Sequence, residues 1–308
     1  MSTLWVFPGQ GAQQPGMLHA LPDAPVVRAC IEQASAALDE DVRLLDSAEA
    51  LQSTRAVQLC LLIAGVAASR LLIERGHHPD YVAGLSIGAY AAAVVAGALE
   101  FADALRLVAL RGELMQRAYP SGYGMTAILG LDQASVERLL AEAEGPVYLG
   151  NINAETQLVI AGSDAAMAAV AERARTLGAG MAKRLAMSVP SHCELLDAPA
   201  CELAAAFAKV ELRIPQVRYL SSSSARLIRD PEILRDDLAY NMSRVVDWQA
   251  TLVTAYERGV RLHLELPPGS VLSGLARRVF EPGQVIAFNG ARLDTLDAML
   301  RQEVSRDR

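Results

Sequence analysis

The chain has 308 residues, of which 52% are hydrophobic and 20% charged, with a formal net charge of −7. That length suits one large unit with a smaller one attached, and the acidic balance argues against nucleic acid or an anionic membrane as a partner. Cys30, Cys60, Cys193 and Cys201 form no C-x-x-C pair, the histidines show no metal-ligand spacing and the N-terminus lacks a secretion-signal pattern, so free thiols, no metal and a cytoplasmic location are expected.

In chain order, the apolar run Leu4 to Phe7 is broken by Pro8, Gly9 and Gly11, which predicts a buried strand ending in a tight loop. Helical spacing follows over 26–38 and over 55–76, where Gly76 stops it. "DYVAG" (80–84) predicts a second short strand, which turns at once into a helix through "SIGAYAAAVVAGAL". The run from Tyr81 to Leu99 is uncharged, but it is mostly alanine and glycine and is flanked by Asp80 and Glu100 rather than by lysine or arginine, which speaks against a membrane span. A further helix covers 101–119, and strands alternating with helices imply a parallel sheet.

From residue 124 the order changes to strand, helix, two strands joined at Glu155-Thr156, helix and strand. This βαββαβ order over 124–187 predicts a ferredoxin-like subdomain inserted into a domain formed by 1–123 and 188–308. Beyond it, "RLHLELPPGSVLSGLARRV" (261–279) reads as strand, Pro-Gly turn and helix, so the α/β layout resumes. His77 and His78 fall in a stretch that reads as a solvated loop, and His263 alternates within a strand.

Gly84-Leu85-Ser86-Ile87-Gly88 matches G-x-S-x-G between a strand and a helix, the context in which that pattern presents a serine nucleophile. A sharp turn there strains the serine backbone, the flanking glycines allow close approach, and the helix N-terminus offers N–H groups, that of Ile87 first, to a developing oxyanion. A serine in a small-residue packing helix is the simpler alternative. His192, in the Pro-bounded "SVPSHCELL", is the best candidate base. No acid between Ser86 and His192 announces itself as a third member, so a dyad with its imidazole held by a main-chain carbonyl stands beside a triad. In "FPGQGAQ" (7–13), Gly9-Gln10-Gly11 lacks the third glycine of a nucleotide loop, and the N–H of Gln10, at the carboxyl end of a strand, could be the second oxyanion donor. Arg111 either lies on a solvated helix face paired with Glu113 or Asp103, or seeks a bidentate carboxylate, the substrate's among the candidates.

Taken together, "FPGQGAQ", "PDYVAGLSIGAY", "RLVALRGELMQ", "VIAG", "VPSHCELL" and "LELPPGSVLSGLARR" resemble the malonyl-CoA:acyl carrier protein transacylase family over nearly the whole chain. The resemblance implies an α/β-hydrolase-like core carrying a ferredoxin-like subdomain, and malonyl transfer from malonyl-CoA to the phosphopantetheine-type thiol of an acyl carrier protein, with no bound cofactor. By position it makes Ser86 the acylated nucleophile, His192 its base held by the carbonyl of Arg244, Gln10 and Ile87 the oxyanion-hole donors, Arg111 the grip on the malonyl carboxylate, and Gln58 a neighbour of the nucleophile.

The family's elbow usually reads G-H-S-x-G-E, whereas here Leu85 stands for the histidine in the substrate-binding group and Ala89 for the glutamate. The "GLSIGAY" variant looks like the epsilon subunit of bacterial malonate decarboxylase, which would make other subunits of that enzyme partners and phosphoribosyl-dephospho-CoA the acceptor. A malonyl transacylase of fatty acid synthesis, a serine thioesterase and a non-catalytic carrier-docking subunit are the alternatives. Arg277 and Arg278 offer a basic pair for an acidic carrier.

Overall fold

The computed structural model describes residues 2–281 and 283–305. The chain begins with β1 (Ser2–Phe7), α1 (Pro25–Leu38), α2 (Thr54–Glu74), β2 (Tyr81–Gly84), α3 (Gly88–Val95) and α4 (Phe101–Ala118). It continues through β3 (Tyr123–Leu129), α5 (Gln133–Ala141), β4 (Val147–Ala154), β5 (Gln157–Ser163), α6 (Asp164–Thr176) and β6 (Met181–Arg184). There follow α7 (Asp197–Phe207), β7 (Arg218–Leu220), β8 (Leu227–Ile228), α8 (Pro231–Tyr240), β9 (Val246–Asp247), α9 (Trp248–Glu257), β10 (Val260–Glu265), α10 (Val271–Ala276), β11 (Gln284–Ala287) and α11 (Leu293–Ser305).

Two sheets organise these elements into a mixed α/β fold. The larger has the order β11-β10-β1-β2-β7-β8, parallel throughout except for β8 at its edge. β1 is apolar on both faces because both are covered. Trp5 and Phe7 pack with α2 and α3, while Leu4 and Val6 pack with Trp248, Leu252 and Leu275 of α9 and α10. α2 is the one helix among the described residues long and apolar enough to cross a membrane, and 89% of its apolar window is buried inside the fold. The uncharged run Tyr81 to Leu99 is instead a four-residue strand, a turn and an eight-residue helix packed on β1 and β2.

The smaller sheet has the order β6-β3-β5-β4-β9, in which β6, β3, β5 and β4 pair antiparallel with one another. α5 and α6 cover one face through Ile128, Leu158, Ile160 and Val170. The other face carries Met125 and Val159, which line a cleft together with Pro8, Gly9 and Leu85. β9 lies outside 124–187 and pairs parallel with β4, Asn151 opposite Val246, so a segment far along the chain supplies the fifth strand of the smaller sheet.

All four cysteines are free, with Cys201 alone exposed. His77 is not a solvated loop residue as its sequence context suggested: it is buried, and its Nε2 lies 2.9 Å from Asp297 Oδ1 where α11 docks beside Arg75. The docking explains the difference, since the partner lies 220 residues away in sequence. His263 on β10 is fully buried, neither ring nitrogen has a partner, and burial pushes its pKa from 6.5 to about 3. The unfolded chain therefore binds a proton at His263 below pH 6.5 that the folded chain refuses, and folding stability falls as pH drops through that range. Replacing His263 by Leu should flatten the acid limb of the stability curve by up to about 1.4 kcal/mol per pH unit, measured by denaturant unfolding between pH 4 and 7.

Candidate active site

The strand-to-helix turn after β2 crosses directly over the end of β1. Leu85 N–H donates to Phe7 O at 3.0 Å. A Cβ on Gly84 would lie 1.9 Å from the carbonyl carbon of Gly88, and one on Gly88 would lie 2.1 Å from Phe7 O, so only glycine fits at either place. Between them Ser86 takes φ 54°, a region a non-glycine residue enters only when the surroundings force it.

His192 follows β6 on the return to the large unit and also has a positive φ, 68°. Its own N–H donates to Met242 O at 2.7 Å. Nδ1 lies 2.9 Å from Asn241 O and 3.2 Å from Arg244 O. Carbonyl oxygens only accept, so Nδ1 carries the proton and Nε2 presents a lone pair. The acid of a triad is thus replaced by main chain. The carbonyl of Arg244 lies where the resemblance implied, and the closer one, Asn241's, had no signal in the sequence. Burial and the charge of Arg111 push the His192 pKa from 6.5 to about 4.

Ser86 and His192, each more than nine-tenths buried, line the same cleft of about 240 Å³. Ser86 Oγ is not hydrogen-bonded to the imidazole; it accepts from Arg111 Nη2 at 3.2 Å. Arg111, on α4, is completely buried rather than on a solvated face. Glu113 faces Arg55 and Asp103 faces Arg106, so neither neutralises it. Its Nη2 also reaches Asn241 Oδ1 at 3.5 Å, while Nε and Nη1 have no partner. The Tyr90 ring lies 5.9 Å below the guanidinium, and burial draws the Arg111 pKa below its ordinary value.

Among the described residues the main-chain N–H groups of Gln10 and Ile87 donate to no protein acceptor; Gln10 lines the cleft, and Ile87 follows Ser86 at the start of α3. Leu85 lines the cleft and packs over Gly9, where a Cβ would lie 2.6 Å from its Cδ2. Gln58 is buried and donates to Met115 Sδ at 3.3 Å, and Met115 lines the cleft; among the described hydrogen bonds Gln58 makes none to Ser86 or His192. Asn151, Asn153 and Gln157 of the small sheet form the facing wall, with Val271, Leu272 and Leu275 at its other side. The sequence reading singled out none of the three amides, which alternate with apolar residues as any strand would. A second cavity of about 870 Å³ adjoins the cleft and shares Gln10, Leu185 and Met187 with it. Among the described residues no group of His, Cys, Asp and Glu could hold a metal ion.

A strained serine over a helix N-terminus, an imidazole of fixed tautomer and two free N–H groups are the parts that acyl transfer requires. The chain belongs to the acyl transferase domain family, whose model matches residues 4–301. It is 39% identical over 293 residues to the malonyl CoA-acyl carrier protein transacylase of Salmonella typhimurium, covering 92% of this chain and 95% of that protein. Identity to the enzyme of that name from Haemophilus influenzae is also 39%, over 92% and 94% of the two chains. The crystal structure of an acyl carrier protein S-malonyltransferase from Vibrio cholerae superposes with a TM-score of 0.91 at 35% identity, covering 97% and 100% of the two chains. A malonyl-transacylase in complex with its type II PKS acyl-carrier protein gives 0.89 at 37% identity, over 97% and 98%.

With the His192 pKa held near 4, the imidazole is already neutral at pH 5. The pH profile of kcat/KM for acyl transfer should stay flat from pH 7 down to about 5 and bend only near 4, whereas an unperturbed histidine would bend near 6.5.

Proposed function

We propose that this protein is a malonyl-CoA:acyl carrier protein S-malonyltransferase working through a malonyl-Ser86 intermediate. The observation that carries this reading is the buried Arg111 guanidinium, which touches Ser86 Oγ through Nη2 and keeps two nitrogens unpartnered. A forked cation beside the nucleophile is complementary to an acyl group ending in a carboxylate. The named relatives, all carrier-protein malonyl transferases, support it from a separate direction.

In the first half-reaction His192 Nε2 takes the Ser86 proton as Oγ bonds to the thioester carbon. The oxyanion is received by the N–H groups of Gln10 and Ile87, and when the C–S bond breaks the imidazolium returns the proton to the CoA sulfur. In the second half a carrier thiol gives its proton to His192 and attacks the malonyl-serine, and Ser86 leaves with that proton. Asn151, Asn153 and Gln157 offer donors and acceptors to the amides of a phosphopantetheine arm, and the adjoining cavity accommodates the rest of the thioester. In this reading 1–123 and 188–308 form an α/β-hydrolase-like domain, and 124–187 a ferredoxin-like subdomain.

For the acceptor, the relatives support an acyl carrier protein of the kind that fatty acid or polyketide synthesis uses. The narrower reading as a malonate decarboxylase epsilon subunit rests on Leu85 and Ala89 alone, and none of the relatives named above bears that name.

Mixing the protein with malonyl-CoA should give a malonyl mass adduct on wild type and none on Ser86→Ala, with added carrier protein discharging it. An adduct lost equally fast to water would make the protein a thioesterase, and no adduct would leave a carrier-docking scaffold. Arg111→Ala should lower kcat/KM for malonyl-CoA by about 100-fold and favour acetyl-CoA in relative terms, because a malonyl carboxylate would then be buried unpaired. An unchanged preference in competition between the two thioesters would remove Arg111 from that role.

A further inference from the structure

Among the described residues no carboxylate forms an ion pair with Arg111, and the side-chain amide that faces its guanidinium is that of Asn241. Asn241 is 1% exposed and opens the turn Asn241–Ser243 between α8 and β9. Its main-chain carbonyl accepts from His192 Nδ1 at 2.9 Å, while its Oδ1 faces Arg111 Nη2 at 3.5 Å and its Nδ2 has no partner. The other acceptor on Nη2 is the Ser86 hydroxyl, also neutral. The acids that a sequence reading would pair with Arg111 are turned elsewhere: Glu113 to Arg55 and Asp103 to Arg106. Asp237, on α8 and also buried, is engaged by Tyr219 and Ser221.

We propose that Asn241 is a positioning residue that sets acyl-group specificity: its neutral amide steers Arg111 Nη2 toward Ser86 without discharging the guanidinium, which keeps Nε and Nη1 for the carboxylate of a dicarboxylic thioester. The oxygen of an aspartate would occupy the same place with a full negative charge. Arg111 would then be paired internally, and a malonyl carboxylate would meet a neutralised site with an extra anion in it. This inference rests on the reading of Ser86 as the acyl acceptor and Arg111 as the carboxylate receptor.

The test measures the rate of Ser86 acylation by malonyl-CoA and by acetyl-CoA, followed as intact-protein mass without any carrier. Asn241→Asp, which keeps the main-chain carbonyl on His192, should lower the malonyl-to-acetyl rate ratio on the order of 100-fold. Asn241→Ala should lower it several-fold through loss of the steering contact, and this variant keeps the test open if the aspartate prevents folding. In an Arg111→Ala background Asn241→Ala should leave the ratio where Arg111→Ala alone put it, because the amide acts only through the guanidinium. A ratio unchanged in Asn241→Asp, with both acyl groups slowed together, would assign the side chain a structural role and overturn the inference. Wild type loading neither thioester would instead overturn the nucleophile assignment and this inference with it.

Discussion

A guanidinium taken completely out of water with two nitrogens unpartnered is the most demanding feature of this structure. Removing an arginine from solvent costs several kcal/mol unless its charge and N–H groups are matched inside, and here the fold matches them only in part. The Tyr90 ring, the Ser86 hydroxyl and one amide oxygen supply partial compensation, none of it from an anion. The rest of the site is arranged around that deficit. Burial holds the His192 pKa down and the same charge adds to it, so the cation further disfavours a protonated imidazole beside it.

Backbone strain is concentrated on the same chemistry. Four non-glycine residues among those described have positive φ, and two of them are Ser86 and His192. Each is held by a main-chain bond to a distant segment, Leu85 N–H on Phe7 O beside Ser86 and His192 N–H on Met242 O. The Ser86 conformation depends further on Gly84 and Gly88, where any side chain would collide with backbone. The proposed nucleophile and base are thus set by covalent geometry and main-chain contacts rather than by the packing of flexible side chains, which is how a site would retain its alignment through the proposed two half-reactions.

Much of this was legible in the sequence because it is local. The strand–turn–helix around Ser86 is written in Gly84 and Gly88, the strand-helix alternation in hydrophobic period, and the order of elements in 124–187 in the spacing of its turns. His192 stands out by its Pro-bounded loop, "SVPSHCELL", as well as by elimination among five histidines. What escaped depends on contacts that no local pattern encodes. Asn241 looks like any asparagine near a helix end, and only folding brings it within reach of an arginine 130 residues earlier. His77 read as loop because Asp297 is far along the chain, and β9, two residues long, is too short to announce itself. Arg111 read equally well as a solvated helix residue, since its burial depends on helices whose packing the sequence does not display.

The pairing of β9 with β4 ties together parts that a two-unit description separates. The turn Asn241–Ser243, whose first carbonyl aims the His192 imidazole, is joined through Arg244 and Val245 to β9, and β9 is hydrogen-bonded to the strand bearing Asn151 on the opposite wall. The two walls of the cleft are therefore stitched together by main-chain hydrogen bonds. The strand pairing that builds one wall and the carbonyls that face His192 Nδ1 on the other belong to one continuous stretch of main chain, so neither wall is built independently of the other.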